Sequence, residues 1–304
     1  MSRYMDVDIY FGKKRVRLTG IIIFFGVLFV LAVAAVLIMI PGRGIPTVSK
    51  GRQMLVKDRY IIHAGGLVTD PDGRELSYTN SKEALNNCYE CGNRIVEIDL
   101  MVTADDEVVC AHDNEDENVK RWAHEVDDAG WQDNPPTLST FLAASFAGTL
   151  STMSLSDLAD FMTEHADLFV VTDVKDDNMG VLSVIREDYP DLVNNFIVQI
   201  YHEDEYDKVR KLGFNNIIYT LYRATDEELE KDELTAFVKK TNLTGVTFWA
   251  EYPDQYSETF EALKELKVPL LIHTINDKGE MEKYLKMGIS GIYTDVVNEG
   301  ERYE

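Results

Sequence analysis

Basic residues are in short supply. Lys and Arg number 30 against 53 Asp and Glu, for a formal net charge of −23 and a pI near 4.6. A surface of that sign excludes nucleic acid as a partner, because binding phosphates requires positive charge. Cysteine is scarcer still, at three residues in a chain of 304. That is too few for a disulfide framework, and the odd count leaves at least one thiol unpaired. Cys88 and Cys91 form a single C-x-x-C with no second pair to complete a zinc site. Small buried hydrophobes or one optional disulfide account for them better.

Charge itself disappears between residues 18 and 41, a run of 24 uncharged residues. That exceeds the ~20 needed to cross a bilayer as a helix. A cleaved signal peptide has a shorter apolar core, about 7–15 residues, and a small-x-small exit that is not evident here. Upstream lie Arg3, Lys13, Lys14, Arg15 and Arg17, which orient a single span with its N-terminus in the cytoplasm. The reading is therefore a cytoplasmic basic segment (1–17), a transmembrane signal anchor (18–41) and a juxtamembrane linker without apolar periodicity (42–58). Everything after Pro41 is then extracellular, at the surface of the cell membrane.

From residue 59 the pattern alternates. Strands are expected at 60–63, 94–102, 168–174, 196–201, 216–222, 245–249, 269–275 and 291–296. Helices are expected between most of them, at 81–90, 155–165, 180–189, 203–212, 226–241, 256–266 and 278–287. Eight strands alternating with helices predict an α/β fold, a (β/α)8 TIM barrel spanning 59–304 and preceded by the one transmembrane helix. Residues 108–112 form an extra strand, a hairpin partner to the end of the second barrel strand. Residues 114–150 show no clear period and are read as an insertion at the barrel mouth.

The candidate chemistry lies on these strands. Glu97 and Asp99 interrupt an apolar run two residues apart, so both carboxylates face the same way. Two buried carboxylates side by side are costly without a compensating cation, and oxygen donors suit Mg²⁺ or Ca²⁺. His63 closes the first strand, and His112 ends the short run after the second. Asp173 and Lys175 end the third, Gln199 and Tyr201 the fourth, and Trp249 and His273 sit late in the sixth and seventh. In a barrel those ends converge on one mouth, where catalysis is usually found.

These residues resemble the landmarks of the glycerophosphodiester phosphodiesterases, within the wider group of phosphatidylinositol phospholipase C-like barrels. The resemblance rests on His63-Ala64-Gly65-Gly66, Tyr78-Thr79-Asn80-Ser81-Lys82-Glu83-Ala84, Glu97-Ile98-Asp99, His112-Asp113 and Asp173-Val174-Lys175. Later echoes are Ile272-His273-Thr274-Ile275-Asn276 and the segment from Gly288 to Asp295. The resemblance implies one divalent cation held by Glu97, Asp99 and Asp173, with Asp173 standing where the family usually has glutamate. It implies His63 and His112 as the general acid/base pair, with Lys175 stabilising charge on the substrate phosphate.

Two positions depart from the family pattern. Ala64 replaces the usual arginine of the first motif and Thr79 the usual glutamate of the second. A cation and an anion lost together suggest that the two normally compensate each other. The expected activity is membrane-anchored, metal-dependent hydrolysis of a glycerophosphodiester or of a phospholipid-derived, lipid-linked phosphodiester. The alternatives are a phospholipase D or sphingomyelinase D-like activity on the same barrel, and a non-catalytic surface binding protein. Acidic loops at 105–107, 113–117, 176–177 and 203–205 form either a negative funnel for cations and cationic head groups or ordinary solvated surface. Trp122, Trp131 and Phe141 in the insertion either contact an acyl chain or head group or serve in helix packing, and Cys110 shares a strand face with His112.

Overall fold

The computed structural model describes residues 8–11, 14–17, 49–112 and 135–303. The charge-free run 18–41, together with Asp113, Trp122, Trp131 and the insertion up to residue 134, lies outside the described residues. Among the described residues no helix is long and apolar enough to cross a membrane. The chain divides into two compact units, Met1–Val48 and Ser49–Glu304. In the first, Asp8–Phe11 pairs antiparallel with Lys14–Arg17.

The second unit is a closed barrel of eight parallel strands. They are β1 (Tyr60–Ile62), β2 (Ile95–Val102), β3 (Phe169–Val174), β4 (Phe196–Ile200), β5 (Ile217–Thr220), β6 (Gly245–Trp249), β7 (Leu270–His273) and β8 (Gly291–Thr294). Each pairs with the next, β8 pairs with β1, and the Ile62–Val96 pairing of β1 with β2 closes the ring. The extra strand is present as Val108–Cys110, antiparallel to the end of β2, and Met153–Ser154 pairs with its outer edge.

Residues that point outward from the strands, such as Val96, Ile98, Val170 and Val198, pack against the helices in one large cluster. Inward-pointing Ile61, Ile95, Val171, Ile197 and Leu271 fill the N-terminal half of the barrel. Two opposed apolar faces per strand explain the near-continuous hydrophobic runs in the sequence.

Two expectations are corrected. Residues 50–58 are not linker but the helix Lys50–Asp58, N-capped by Ser49, whose Leu55 is buried in the barrel's inner cluster. Only Gly51 and Leu55 of this helix are buried, which is too little apolar content to register as a period. The helix expected at 226–241 is two, Asp226–Leu229 and Lys231–Lys240, because Glu230 between them is extended at φ −61°, ψ 135°. The described part of the insertion is ordered: the helix Leu138–Ala143 and a small hairpin bury Phe141 against Val68, Met101 and Val109. Phe141 is therefore packing. Cys88, Cys91 and Cys110 are all free thiols.

Candidate active site

Each inward face changes character along the barrel. Two residues beyond the apolar layer, the same faces carry Glu97 on β2, Asp173 on β3, Gln199 on β4, Thr220 on β5 and His273 on β7. With His63, Tyr78, His112, Lys175 and Tyr222 they line a cavity of about 250 Å³ at the C-terminal end of the strands. The period of two, applied to parallel strands in register, brings these side chains to one level.

The three acidic residues converge. Asp173 is the register partner of Asp99, and one oxygen from each of Glu97, Asp99 and Asp173 lies within 4.8 Å of the others. Glu97 and Asp99 are 2% and 1% exposed. Glu97 Oε2 accepts from the Ala64 amide at 2.8 Å, whereas Oε1 has no hydrogen-bond partner. Burial, and then the charge of Asp99, push the Glu97 carboxyl well above the usual range. Asp99 is gripped by Asn80, whose Nδ2 donates to Oδ2 at 2.8 Å and whose Oδ1 accepts from the Asp99 amide at 3.0 Å.

Asp173 is held more tightly. The Tyr201 and Tyr222 hydroxyls donate to Oδ1 at 2.6 and 2.8 Å, and Lys175 Nζ donates to Oδ2 at 2.8 Å. Burial opposes its ionisation, but Lys175 and the two tyrosines outweigh burial and keep its pKa low, at about 2. Lys175 Nζ also lies 2.7 Å from Asp99 Oδ1, in ion-pair contact but out of line for a hydrogen bond. One ammonium faces three carboxylates, two of whose oxygens, Glu97 Oε1 and Asp99 Oδ1, accept no hydrogen bond. A cluster of three carboxylate donors of this kind fits a hard divalent cation.

His63 sits not at the end of β1 but in the tight turn His63–Gly65 that follows it. Gly66 completes the turn at φ 84°, where a Cβ would lie 2.5 Å from both Ile62 and Val297. Only glycine fits there. The turn aims the imidazole into the cavity, with Nδ1 bonded to Asp295 Oδ1 at 2.9 Å and Nε2 4.0 Å from Glu97 Oε2. Asn276 Nδ2 in turn donates to Asp295 Oδ2 at 2.8 Å. Burial alone would lower the pKa of His63, but the Asp295 hydrogen bond and the charges of Glu97, Asp295 and Asp99 raise it to about 9. His112 lines the same cavity, and its ring packs edge-on to Tyr78 at 4.9 Å.

All six residues singled out for the site, His63, Glu97, Asp99, His112, Asp173 and Lys175, thus meet in one place. Trp249 does not join them; its indole N–H donates to Gln255 at 3.1 Å outside the cavity. The acidic loops are partly structural: Asp105 accepts from Thr103 and the Leu138 amide, and Asp177 caps the helix Asn178–Asp188. Cys110 is buried beneath the site, with Sγ 3.8 Å from the Ser154 carbonyl, and burial pushes its thiol pKa up. Sequence reasoning passed over Asn80, Asn276 and Asp295 as site residues, although all three lie inside the quoted motifs. Tyr222, in a turn beyond β5, carried no signal.

A parallel barrel with a carboxylate trio, a lysine and two histidines at its catalytic pole defines a class of phosphodiester-cleaving enzymes. The chain belongs to the glycerophosphoryl diester phosphodiesterase family, whose model matches residues 72–299, and is a phosphoric diester hydrolase. No curated protein matches it. Among solved structures, it is similar to a candidate glycerophosphoryl diester phosphodiesterase from Silicibacter pomeroyi, at 16% identity and TM-score 0.61, covering 86% of this chain and 96% of that one. A glycerophosphodiester phosphodiesterase from Thermotoga maritima matches at 19% identity and TM-score 0.58, covering 79% and 95%. An Oleispira antarctica phosphodiesterase in complex with sn-glycerol-3-phosphate matches at 14% identity and TM-score 0.55, covering 79% and 94%. At these identities the likeness speaks for the fold.

Proposed function

We propose that this enzyme hydrolyses glycerophosphodiesters or lipid-linked phosphodiesters with one divalent cation, Mg²⁺ or Ca²⁺, held by Glu97, Asp99 and Asp173. The observation that carries the reading is one cavity lined by Glu97, Asp173, Lys175 and both histidines, with an Asp99 oxygen within 4.8 Å of the other two carboxylates. When bound, the cation supplies Lewis-acid stabilisation of the phosphoryl oxygens. Lys175, paired to Asp99 and Asp173, places a second positive charge beside them. His63, oriented by Asp295 through Nδ1, presents Nε2 to the reacting centre, and His112 serves it as the second proton-transfer group. One imidazole takes the proton of the attacking water and the other gives one to the leaving alkoxide.

A cavity of about 250 Å³ suits a phosphodiester with a short alcohol such as glycerol. Acyl chains of a lipid-linked substrate then remain outside it. The uncharged run 18–41 acts as a single-pass anchor, with the basic segment in the cytoplasm and the barrel on the outer face of the membrane. Anchoring holds the site near lipid-derived substrates.

The test is an assay of residues 44–304 on glycerophosphocholine, glycerophosphoethanolamine and lysolipids, with Mg²⁺, Ca²⁺ or chelator, beside Glu97→Gln. Metal-dependent turnover that Glu97→Gln abolishes is the expected result; turnover indifferent to chelator sinks the metal assignment. Protease shaving of intact cells checks the topology: digestion of the barrel is expected, and its protection overturns the outward orientation.

A further inference from the structure

Tyr78 is the one site residue whose backbone and ring both stand out. Its φ is +62°, a left-handed conformation that bulky side chains rarely adopt, and Asn80 two residues on is also positive at φ 48°. Such conformations persist only where surrounding structure imposes them. The imposing contacts are visible: the Asn80 amide donates to the Ala64 carbonyl at 3.0 Å, and the Asn80 side chain clamps Asp99. The turn is thereby tied at once to the His63 turn and to the acidic trio.

The ring uses that placement. It meets the His63 imidazole at 4.5 Å and the His112 imidazole at 4.9 Å, edge-on to both at 74° and 71°. Edge-to-face contacts at such distances are favourable and directional. Both proton-transfer groups therefore lean on one phenol. The hydroxyl makes no hydrogen bond among the described residues, yet the residue lines the cavity and lies close enough to Asp99, Lys175 and Glu97 to feel their charges. Three neighbouring donors are already engaged: Lys175, Tyr201 and Tyr222 all donate to Asp173. Ala64 offers no side-chain donor.

We propose that Tyr78 is a catalytic residue of this enzyme: its ring sets the separation and tilt of His63 and His112, and its free hydroxyl donates a hydrogen bond to a phosphoryl oxygen of the substrate. Burial and the charge of Asp99 keep the phenol protonated, as a donor must be. A preorganised donor at that oxygen acts more strongly on the transition state, and on the more highly charged inorganic phosphate, than on the monoanionic diester. The reading rests on the phosphodiesterase activity, so the test carries a binding readout as well as turnover.

The experiment compares the intact protein with Tyr78→Phe, which keeps the ring, and Tyr78→Leu, which loses both ring and hydroxyl. Turnover of a glycerophosphodiester, its pH profile, thermal unfolding and calorimetric binding of inorganic phosphate are measured for each. Tyr78→Phe is expected to lower kcat about 100-fold, with KM changed less than threefold, phosphate affinity reduced and the melting temperature unchanged. Tyr78→Leu is expected to lower kcat further and to shift the pH profile, because the histidines lose their spacer. Wild-type kcat and phosphate affinity in Tyr78→Phe overturn the hydroxyl role, and an unshifted pH profile in Tyr78→Leu overturns the ring role. Should the wild type turn over no diester, the phosphodiesterase reading fails, and the phosphate affinities alone decide whether Tyr78 is a donor.

Discussion

Ala64 is fully buried, in a left-handed turn at φ 48°, and its neighbour across the turn, Thr79, is bonded to Ser81 Oγ at 2.9 Å. Thr79 offers no carboxylate, so a guanidinium placed at 64 would have to draw on Glu97, whose Oε2 already accepts from the residue 64 amide. Ala64→Arg alone is therefore expected to leave turnover unimproved and to lower the melting temperature. Steady-state kinetics and thermal unfolding check it, and a rise in kcat/KM refutes the idea that the two missing charges compensate each other. Asp295 is the more consequential neighbour of His63. Asp295→Asn is expected to cost about 10–100-fold in activity, the usual range for a residue that orients a catalytic group. It should also bring the His63 pKa down from about 9, because it removes a carboxylate that raises it. An NMR titration of His63 that does not move counts against that coupling.

Among the elements, the helix Lys50–Asp58 belongs with the barrel rather than with the chain that precedes it. Leu55 is 1% exposed and packs with Ile61, Ile95 and Ile197, and the Gly51 amide donates to Asn216 Oδ1 at 3.1 Å. Leu55→Ala is expected to destabilise the fold by about 2–5 kcal/mol, the usual cost of emptying such a core position. A chain begun at residue 59 should be less stable than one begun at 49. Urea denaturation of the three proteins decides whether the helix is a structural plug, and equal midpoints sink the idea.

At the scale of the whole molecule, the charge of −23 and the acidic trio act in the same direction. The field draws divalent cations toward the mouth and is screened by salt. Cation affinity is expected to fall several-fold between low and physiological ionic strength. Binding only the folded state, the cation should stabilise it by about 2.7 kcal/mol at one hundred times Kd. Calorimetry at two salt concentrations, with thermal unfolding in cation or chelator, checks both. An unchanged melting temperature in wild type would remove the trio as a cation site.

The primary sequence was enough to read the barrel and to pick out six residues that the fold brings together. Parallel strands buried on both faces write themselves as apolar runs, and a carboxylate or imidazole that breaks such a run at its end is conspicuous. Glu97, Asp99 and Asp173 stand out for that reason. Contacts across the ring decided the rest. Asp295 reaches His63 from 232 positions away, and Tyr222 reaches Asp173 from 49, and no local period encodes either bond. Lys50–Asp58 looked like linker because its one large buried side chain finds its apolar partners on strands far along the chain. Tyr78 had its place in a recognisable motif, but only the closed barrel sets its ring against two histidines, one from the turn after β1 and one from beyond the hairpin of β2. Backbone alternation is local and therefore legible; the partners of a buried polar group are chosen by closure of the fold.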